Sequence, residues 1–526
     1  MEYRLDYRAV LEDGTAYEGT AVLDRITHIK KNLGTGVISH VTATMILEVP
    51  MRTKIFMNGY QTWTYSPEYD LNGFTEGVKK LPKAVMDHLG ITRYGDYHFV
   101  DYPLKKGITH GFSYCYFRTG KLFRLFASLD ERPGYTMFRY DSFRKVLTID
   151  RDCSGIKTNG EYSLFDLFYM EGTEDEVFDA WFDTLGVRPR TNEKITGYTS
   201  WYNRFGNIDH KSITDDLRGS SMLLGKGDLF QIDDGWEKHV GDWLECDPKK
   251  FPYGMKAEAD NIHAMGYRAG IWLAPFVCST SSDIYKFHRD WLLHIERKPW
   301  RLGINWGGFW SLDIDNPEVI EYLTRVFDRI FNEWGFDLVK LDFLFGAAPH
   351  GTDHETRAGR MIRAMELLRK LCGDRLMLAC GVPLMPAFGL ADYSRVSCDV
   401  SLDWDSTFIW RLTNRERMST YHAIENTIFR RQLNNRAFVS DPDVFFLRTD
   451  NIKLVEQRKM LLATVNSLFG GMLLHSDNMA KYTDEARKKY KHMLHLRDAQ
   501  DIEVLADDGI TVTYVLDDIK HELIVR

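Results

Sequence analysis

Five β-prone segments in the second part of the chain end in aspartate: Gln231-Ile232-Asp233-Asp234-Gly235-Trp236, Lys340-Leu341-Asp342-Phe343, Arg395-Val396-Ser397-Cys398-Asp399, Ser440-Asp441-Pro442-Asp443 and His475-Ser476-Asp477. Side chains two apart on a strand share a face, so Lys340 and Asp342 point the same way. An ammonium beside a carboxylate lowers its pKa and keeps it ionised, which suits a nucleophile. Arg395 and Asp399 also share parity and face the same mouth if the strand stays regular. Asp399 sits among Cys398, Val400 and Leu402. Desolvation in such a setting raises a carboxyl pKa and holds a proton for a leaving group. Two carboxyl groups with pKa values driven apart are what glycoside hydrolysis requires. A lone Asp at a strand end is more often a helix cap or turn residue, but caps alone are a poor account of so many ends with Lys and Arg in phase. The same acids would serve a metal site. His350 and His354 are four apart, yet no HExxH surrounds them and His475 stands alone, so no metal and no cofactor are expected. Trp201, Trp243 and Trp272, at or near strand ends, offer flat apolar faces for the C–H side of a sugar ring.

These side chains need a scaffold that brings strand ends together. From about Ile195, β-type segments alternate with amphipathic helices, and eight candidate strands follow: Gly197–Tyr202, Leu229–Asp233, Arg268–Ala274, Leu338–Phe343, Met377–Gly381, Arg395–Val400, Ala437–Asp441 and Met472–His475. This is the pattern of an α/β fold with a (β/α)8 TIM barrel, whose C-terminal strand ends carry the active site. One helix shows the local logic. Asn316 is its expected N-cap and Pro317 its first residue, and Val319, Tyr322, Leu323, Val326, Phe327, Ile330, Phe331 and Trp334 form one apolar stripe. A long insertion containing Trp291, Trp300, Trp306 and Trp310 separates the third and fourth strands, and the fifth and sixth are too close for a full helix. Before Thr173 the chain reads as short strands between turn signals, an N-terminal β-sandwich. Val177, Phe178, Trp181, Phe182 and Leu185 give Glu174–Leu185 helical periodicity as a connector. After Leu496, Ile502–Leu505 and Thr511–Leu516 read as strands of a short, truncated C-terminal β segment. The expected divisions are 1–173, 174–194, 195–496 and 497–526.

The 526 residues favour several domains. Hydrophobic residues at 44% and charged residues at 27% exclude wholesale disorder. A net charge of −8, without a basic stripe, argues against nucleic acid or an anionic membrane surface as partner. The start, Met1-Glu2-Tyr3-Arg4-Leu5-Asp6-Tyr7, lacks the apolar core of a signal peptide, and no apolar run is long enough for a membrane span. Seven scattered cysteines without CxxC point to free thiols in a cytoplasmic protein.

The ordered motifs resemble glycoside hydrolase family 36. They are Gln231 to Trp236 with Gly241-Asp242-Trp243 and Phe251-Pro252, Gly270-Ile271-Trp272-Leu273-Ala274-Pro275-Phe276, Lys340 to Phe343, Cys380-Gly381-Val382-Pro383-Leu384, Arg395-x-x-x-Asp399 and Asp441-Pro442-Asp443-Val444. Asn58-Gly59-Tyr60-Gln61-Thr62-Trp63 in the N-terminal part also matches, and the likeness is to short bacterial α-galactosidases. The resemblance implies a retaining exo-α-galactosidase acting on α-galactoside oligosaccharides. Asp342 falls on the family's nucleophile and Asp399 on its acid/base. Asp233 and Asp234 would grip O4 and O6 of galactose, Lys340 would reach O3 and O4, and Arg395 would hold O2 and O3. Trp272 would wall the O6 side, Trp201 and Tyr202 would line the pocket, Cys380 and Gly381 would border the sugar, and Trp63 would cover the leaving-group side. Retaining enzymes place the two carboxyl groups roughly 5–5.5 Å apart. α-N-Acetylgalactosaminidase activity, a galactosyl transferase of the raffinose-synthase kind and a non-catalytic galactoside-binding protein are the rival readings, and a homo-oligomer is left open.

Overall fold

The computed structural model describes residues 3–78, 82, 85–86, 89–405 and 415–525; Met1 and Glu2 of the charged N-terminal stretch lie outside them. The N-terminal part is a sheet-rich domain with eleven antiparallel strands among the described residues. Its backbone is the long strand Ile26–Ile46, which pairs with Lys157–Gly172 along its first part and with Tyr3–Leu11 and Val146–Arg151 along its second. Period-two alternation decides which side chains go in. Along Tyr3–Leu11, Tyr3, Leu5, Ala9 and Leu11 are buried, while Arg4, Asp6 and Arg8 are not. The inward set meets Ile38, Val41, Ala43, Leu147 and Ile149 in one core.

The connector helix forms as expected over Glu174–Leu185. Thr173 and Glu176 make a capping box, and Gly186 ends the helix in the left-handed conformation at φ 66. Its buried face wedges between the two parts of the molecule. Phe178 packs edge-on to Tyr114 of the N-terminal sheet at 5.9 Å, and Phe182 lies 5.3 Å from Phe388 on the other side.

The second part holds a nine-stranded parallel sheet that fits a TIM barrel. Ile195–Thr199, Leu229–Ile232, Arg268–Leu273, Leu338–Leu341, Leu376–Ala379 and Tyr393–Arg395 pair in sequence order. The seventh stave is broken in two. Val439–Asp441 pairs with Tyr393–Arg395, and Val444–Phe445 pairs with Met472–His475, which in turn pairs with Ile195–Thr199. The break falls at Pro442-Asp443, where proline offers no N–H to a ladder and Asp443 adopts φ 75.

The sixth strand departs from expectation. It spans Tyr393–Arg395 and stops where the sequence reading has it begin. Beyond Arg395, Val396 N still donates to Asp441 O at 3.1 Å, but Val400 N turns to the Asp443 carboxylate at 2.8 Å. Asp399 therefore reaches the mouth from a loop and not by strand parity. Between the fifth and sixth strands there is one helical turn, Leu384–Ala387. The helix Pro317–Asp328 starts at Asn316, whose side chain accepts from Glu318 N at 2.9 Å, and it runs on into a π-turn that buries Ile330 and Phe331. The aromatic insertion builds a small antiparallel sheet from Val277–Ser279, Phe309–Ser311 and Arg301–Gly303. The C-terminal stretch is three-stranded, Gln500–Leu505, Thr511–Leu516 and Ile519–Ile524; the last strand, with its exposed Ile519 and Ile524, was not legible as one. Among the described residues no helix is long and apolar enough to cross a membrane.

Candidate active site

The ends of the parallel strands open into a cavity of about 1110 Å³, lined by Trp63, Trp201, Asp233, Asp234, Trp272, Lys340, Asp342 and Asp399 among others. Asp342 follows the fourth strand directly, and its carboxylate is held at both oxygens. Trp272 Nε1 donates to Oδ2 at 3.1 Å, and Phe343 N, in a residue at φ 52, donates to Oδ1 at 2.9 Å. Lys340 shares that face, but its ammonium is committed elsewhere: Nζ bonds Asp233 Oδ2 at 2.9 Å. This corrects the expected electrostatics. Burial pushes the Asp342 carboxyl above the ordinary range, Lys340 opposes that only in part, and the nearby Asp399 charge pushes it further up. Burial works against the Lys340 charge as well, yet Asp233 holds that ammonium firmly protonated.

Asp233 is fixed from three more sides. Gln231 Nε2 donates at 2.9 Å and Thr199 Oγ1 at 3.3 Å to Oδ2, while Asp233 N donates to Ser200 Oγ at 2.9 Å. Asp234 accepts from Trp306 Nε1 at 2.9 Å. Burial raises its carboxyl, and the buried Glu237 beside it is driven well above the carboxylate range by burial and by the Asp234 charge.

Asp399 does not lie in the apolar setting its sequence neighbours indicate. Its side chain is 33% exposed, and Arg395 Nη1 bonds Oδ1 at 2.7 Å. Cys398 and Val400 point into the core, as alternation around a loop residue allows, and leave the carboxylate to the cation and solvent. Arg395 is 2% exposed and also contacts Asp441 at 3.1 Å and Asp443 at 3.1 Å. Burial opposes its charge, but these carboxylates raise its pKa well above the usual value.

The other expected residues fall into two groups. Trp63, Trp201 and Trp272 line the cavity. Arg395, Tyr202, Cys380 and Gly381 are buried behind its wall: Tyr202 donates its hydroxyl to Asp443, and Cys380 Sγ accepts from Trp63 Nε1 at 3.3 Å. Gly381, at φ 60, lets Trp63 approach closely, since a Cβ there would sit 2.9 Å from its Cζ2. Trp243 is fully buried, 5.7 Å behind Trp272, and offers no face to a ligand. Sequence reasoning missed Trp306, Tyr94 and Glu237. Trp306 belongs to the aromatic insertion already singled out, and its φ of 53 turns it into the cavity; Tyr94 arrives from a segment without periodicity.

Known proteins resemble this chain in sequence and in fold. Residues 200–361 match the Melibiase family. α-Galactosidase AgaA of Geobacillus stearothermophilus is 25% identical over 160 residues, 29% of this chain and 21% of that protein. An α-galactosidase of Escherichia coli is 30% identical over 154 residues, 27% of this chain and 21% of its own. The aligned regions thus span about a fifth of those curated relatives. TtGalA, an α-galactosidase from Thermus thermophilus solved with p-nitrophenyl α-D-galactopyranoside, superposes with a TM-score of 0.75 at 26% identity, covering 94% of this chain and 98% of that one. The crystal structure of AgaA, a family 36 enzyme, shares the fold at TM-score 0.60 and 13% identity, covering 97% of this chain and 79% of that one. In fold and in sequence the chain is similar to glycoside hydrolases. Within that class, the resemblance to the melibiase-type enzymes of family 36, first drawn from the motifs, is shown.

Proposed function

We propose that this protein is a retaining, exo-acting α-galactosidase that hydrolyses terminal non-reducing α-D-galactosides of the melibiose and raffinose type by double displacement. The observation that carries this reading is that Asp342 and Asp399 line one cavity together with Asp233, Asp234, Lys340 and Trp272, the set that the family resemblance assigns to galactose. TtGalA, the α-galactosidase from Thermus thermophilus, has been solved in complex with stachyose.

Asp342 attacks the anomeric carbon as Asp399 gives its proton to the glycosidic oxygen. The C–O bond breaks, the alcohol departs, and a β-galactosyl ester forms on Asp342. Asp399, now a carboxylate, takes a proton from water, and the water oxygen displaces Asp342 to release α-galactose. Arg395 pairs with Asp399 at 2.7 Å. Burial of Asp342 strips its carboxylate of water and strengthens it as a nucleophile.

The scaffold for this chemistry, in our reading, is a closed (β/α)8 barrel over 195–496. A β-sandwich over 1–173, the connector 174–194 and a short β segment over 497–526 accompany it. Free, mostly buried cysteines support a reducing, cytoplasmic location. A panel of p-nitrophenyl α-glycosides, followed by NMR of the first-formed sugar, tests the proposal. The α-galactoside is expected to be cleaved fastest and α-galactose to appear first. A preference for the N-acetylgalactosaminide would overturn the sugar assignment, and β-galactose appearing first would overturn the retaining mechanism.

A further inference from the structure

We propose that Asp443 is the positioning residue of the acid/base: from behind the cavity wall it holds Asp399 through Arg395 and through the backbone of Val400. This rests on the role given to Asp399 above. Asp443 sits in the break of the seventh stave, is 1% exposed and does not line the cavity. Its φ of 75 lies in the left-handed region, which Asp and Asn tolerate better than other side chains because a short polar group bonds locally. Here that group does more than cap a turn. Oδ2 accepts from Val400 N at 2.8 Å and from the Tyr202 hydroxyl, and Oδ1 faces Arg395 Nη2 at 3.1 Å.

Val400 follows Asp399 directly, and Ser419 N donates to Asp399 O at 2.9 Å, so the loop is tied at the acid/base and immediately after it. That tie matters because the sixth strand ends at Arg395 and, among the described residues, no strand pairs with the chain from 397 to 400. Asp443 is itself rigid: its N–H donates to Asp441 Oδ1 at 2.9 Å, and its carbonyl accepts from Asn466 Nδ2 at 3.1 Å.

The charged and titratable groups facing Asp443 are Arg395, Asp441, Asp399 and Tyr202. A single guanidinium thus serves three carboxylates, Asp399, Asp441 and Asp443. Whatever Asp443 draws from Arg395 is withdrawn from Asp399. Burial, with Asp399 and Asp441 beside it, raises the Asp443 carboxyl to about 7 against the pull of Arg395, so Asp443 carries its full charge only above that range; an amide there is neutral at every pH and leaves the guanidinium more fully to Asp399, where a cation favours the deprotonated form. The acid then gives up its proton at lower pH.

The test is Asp443→Asn in the full chain, with kcat/KM measured on methyl α-galactoside, a poor leaving group, and on p-nitrophenyl α-galactoside, an activated one. The variant should lose at least tenfold more on the methyl glycoside than on the aryl one, and the alkaline limb of its pH profile should move to lower pH. Tyr202→Phe, which removes one bond to the same carboxylate, should show the leaving-group bias in smaller measure; it carries the test alone if Asp443→Asn does not fold. Equal losses on both glycosides with the limb unmoved, or no loss at all, would reduce Asp443 to a structural residue and overturn the proposal. A wild-type protein inert on both glycosides would instead overturn the activity, and the role of Asp443 with it.

Discussion

Burial drives the Asp342 carboxyl above the ordinary aspartate range, and Lys340, the Trp272 indole and Cys380 oppose it. In the proposed mechanism Asp342 works as a nucleophile only when ionised, so activity is lost as pH falls through its pKa. The acid limb of kcat/KM is therefore expected above the usual carboxylate range, and Lys340→Met, which removes the largest opposing influence, should move it higher still; a pH–rate profile of both proteins checks the direction. The same substitution leaves Asp233 buried without its cation, and breaking such a buried pair costs roughly 3–5 kcal/mol, to be read from denaturant unfolding. Asp342→Ala should abolish turnover, with azide restoring part of it as β-galactosyl azide. Asp399→Ala should lower kcat/KM on poor leaving groups by about 100-fold or more while sparing activated aryl galactosides, the pattern of a lost general acid. Equal loss on both would remove Asp399 from that role.

At the scale of elements, the parallel staves present the acids and the turns after them set their geometry. Gly381 shows how tightly. It stands at φ 60, and a Cβ would lie 2.9 Å from Trp63 and 3.0 Å from Phe343 N, the amide that bonds the Asp342 carboxylate. Gly381→Ala should therefore cost about 1–2 kcal/mol in backbone strain alone and lower kcat/KM through the displaced Phe343 amide; thermal unfolding and kinetics on one preparation check both. What was legible in the sequence follows this division. Alternation and the acidic strand ends announced the staves and the residues on them, because period two and apolar flanks are local signals. The sixth stave was placed too late because Val396, Cys398 and Val400 look like strand residues; their apolar side chains are buried, but after Val396 the backbone leaves the ladder and Val400 N bonds the Asp443 carboxylate instead. The choice of Lys340 for Asp233 over Asp342, and the exposure of Asp399, depend on distances across the barrel that no spacing along the chain encodes.

The whole molecule contributes to the site because the sheet-rich N-terminal domain delivers Trp63 to the cavity, and one buried cation governs that delivery. Arg430 is 0% exposed, and its guanidinium donates to Asn58 Oδ1 at 3.1 Å, Thr62 O at 2.6 Å, Gln61 O at 3.2 Å and Ser66 Oγ at 2.9 Å in the N-terminal part, and to Val396 O at 2.9 Å beside the sixth stave. None of these acceptors is a carboxylate, so burial dominates and draws its pKa down to about 10. Such a group joins the two parts by saturating carbonyls that have no water to turn to. Arg430→Met keeps most of the apolar stem but leaves those acceptors unmet, each at about 1–3 kcal/mol. The expected outcome is a strongly destabilised protein in which the Trp63 turn loosens. In the fraction that stays folded, kcat/KM should fall on α-galactosides with large leaving groups more than on the methyl glycoside. An Arg430→Met protein as stable as wild type, with unchanged discrimination between leaving groups, would show that the N-terminal domain sits beside the cavity without shaping it.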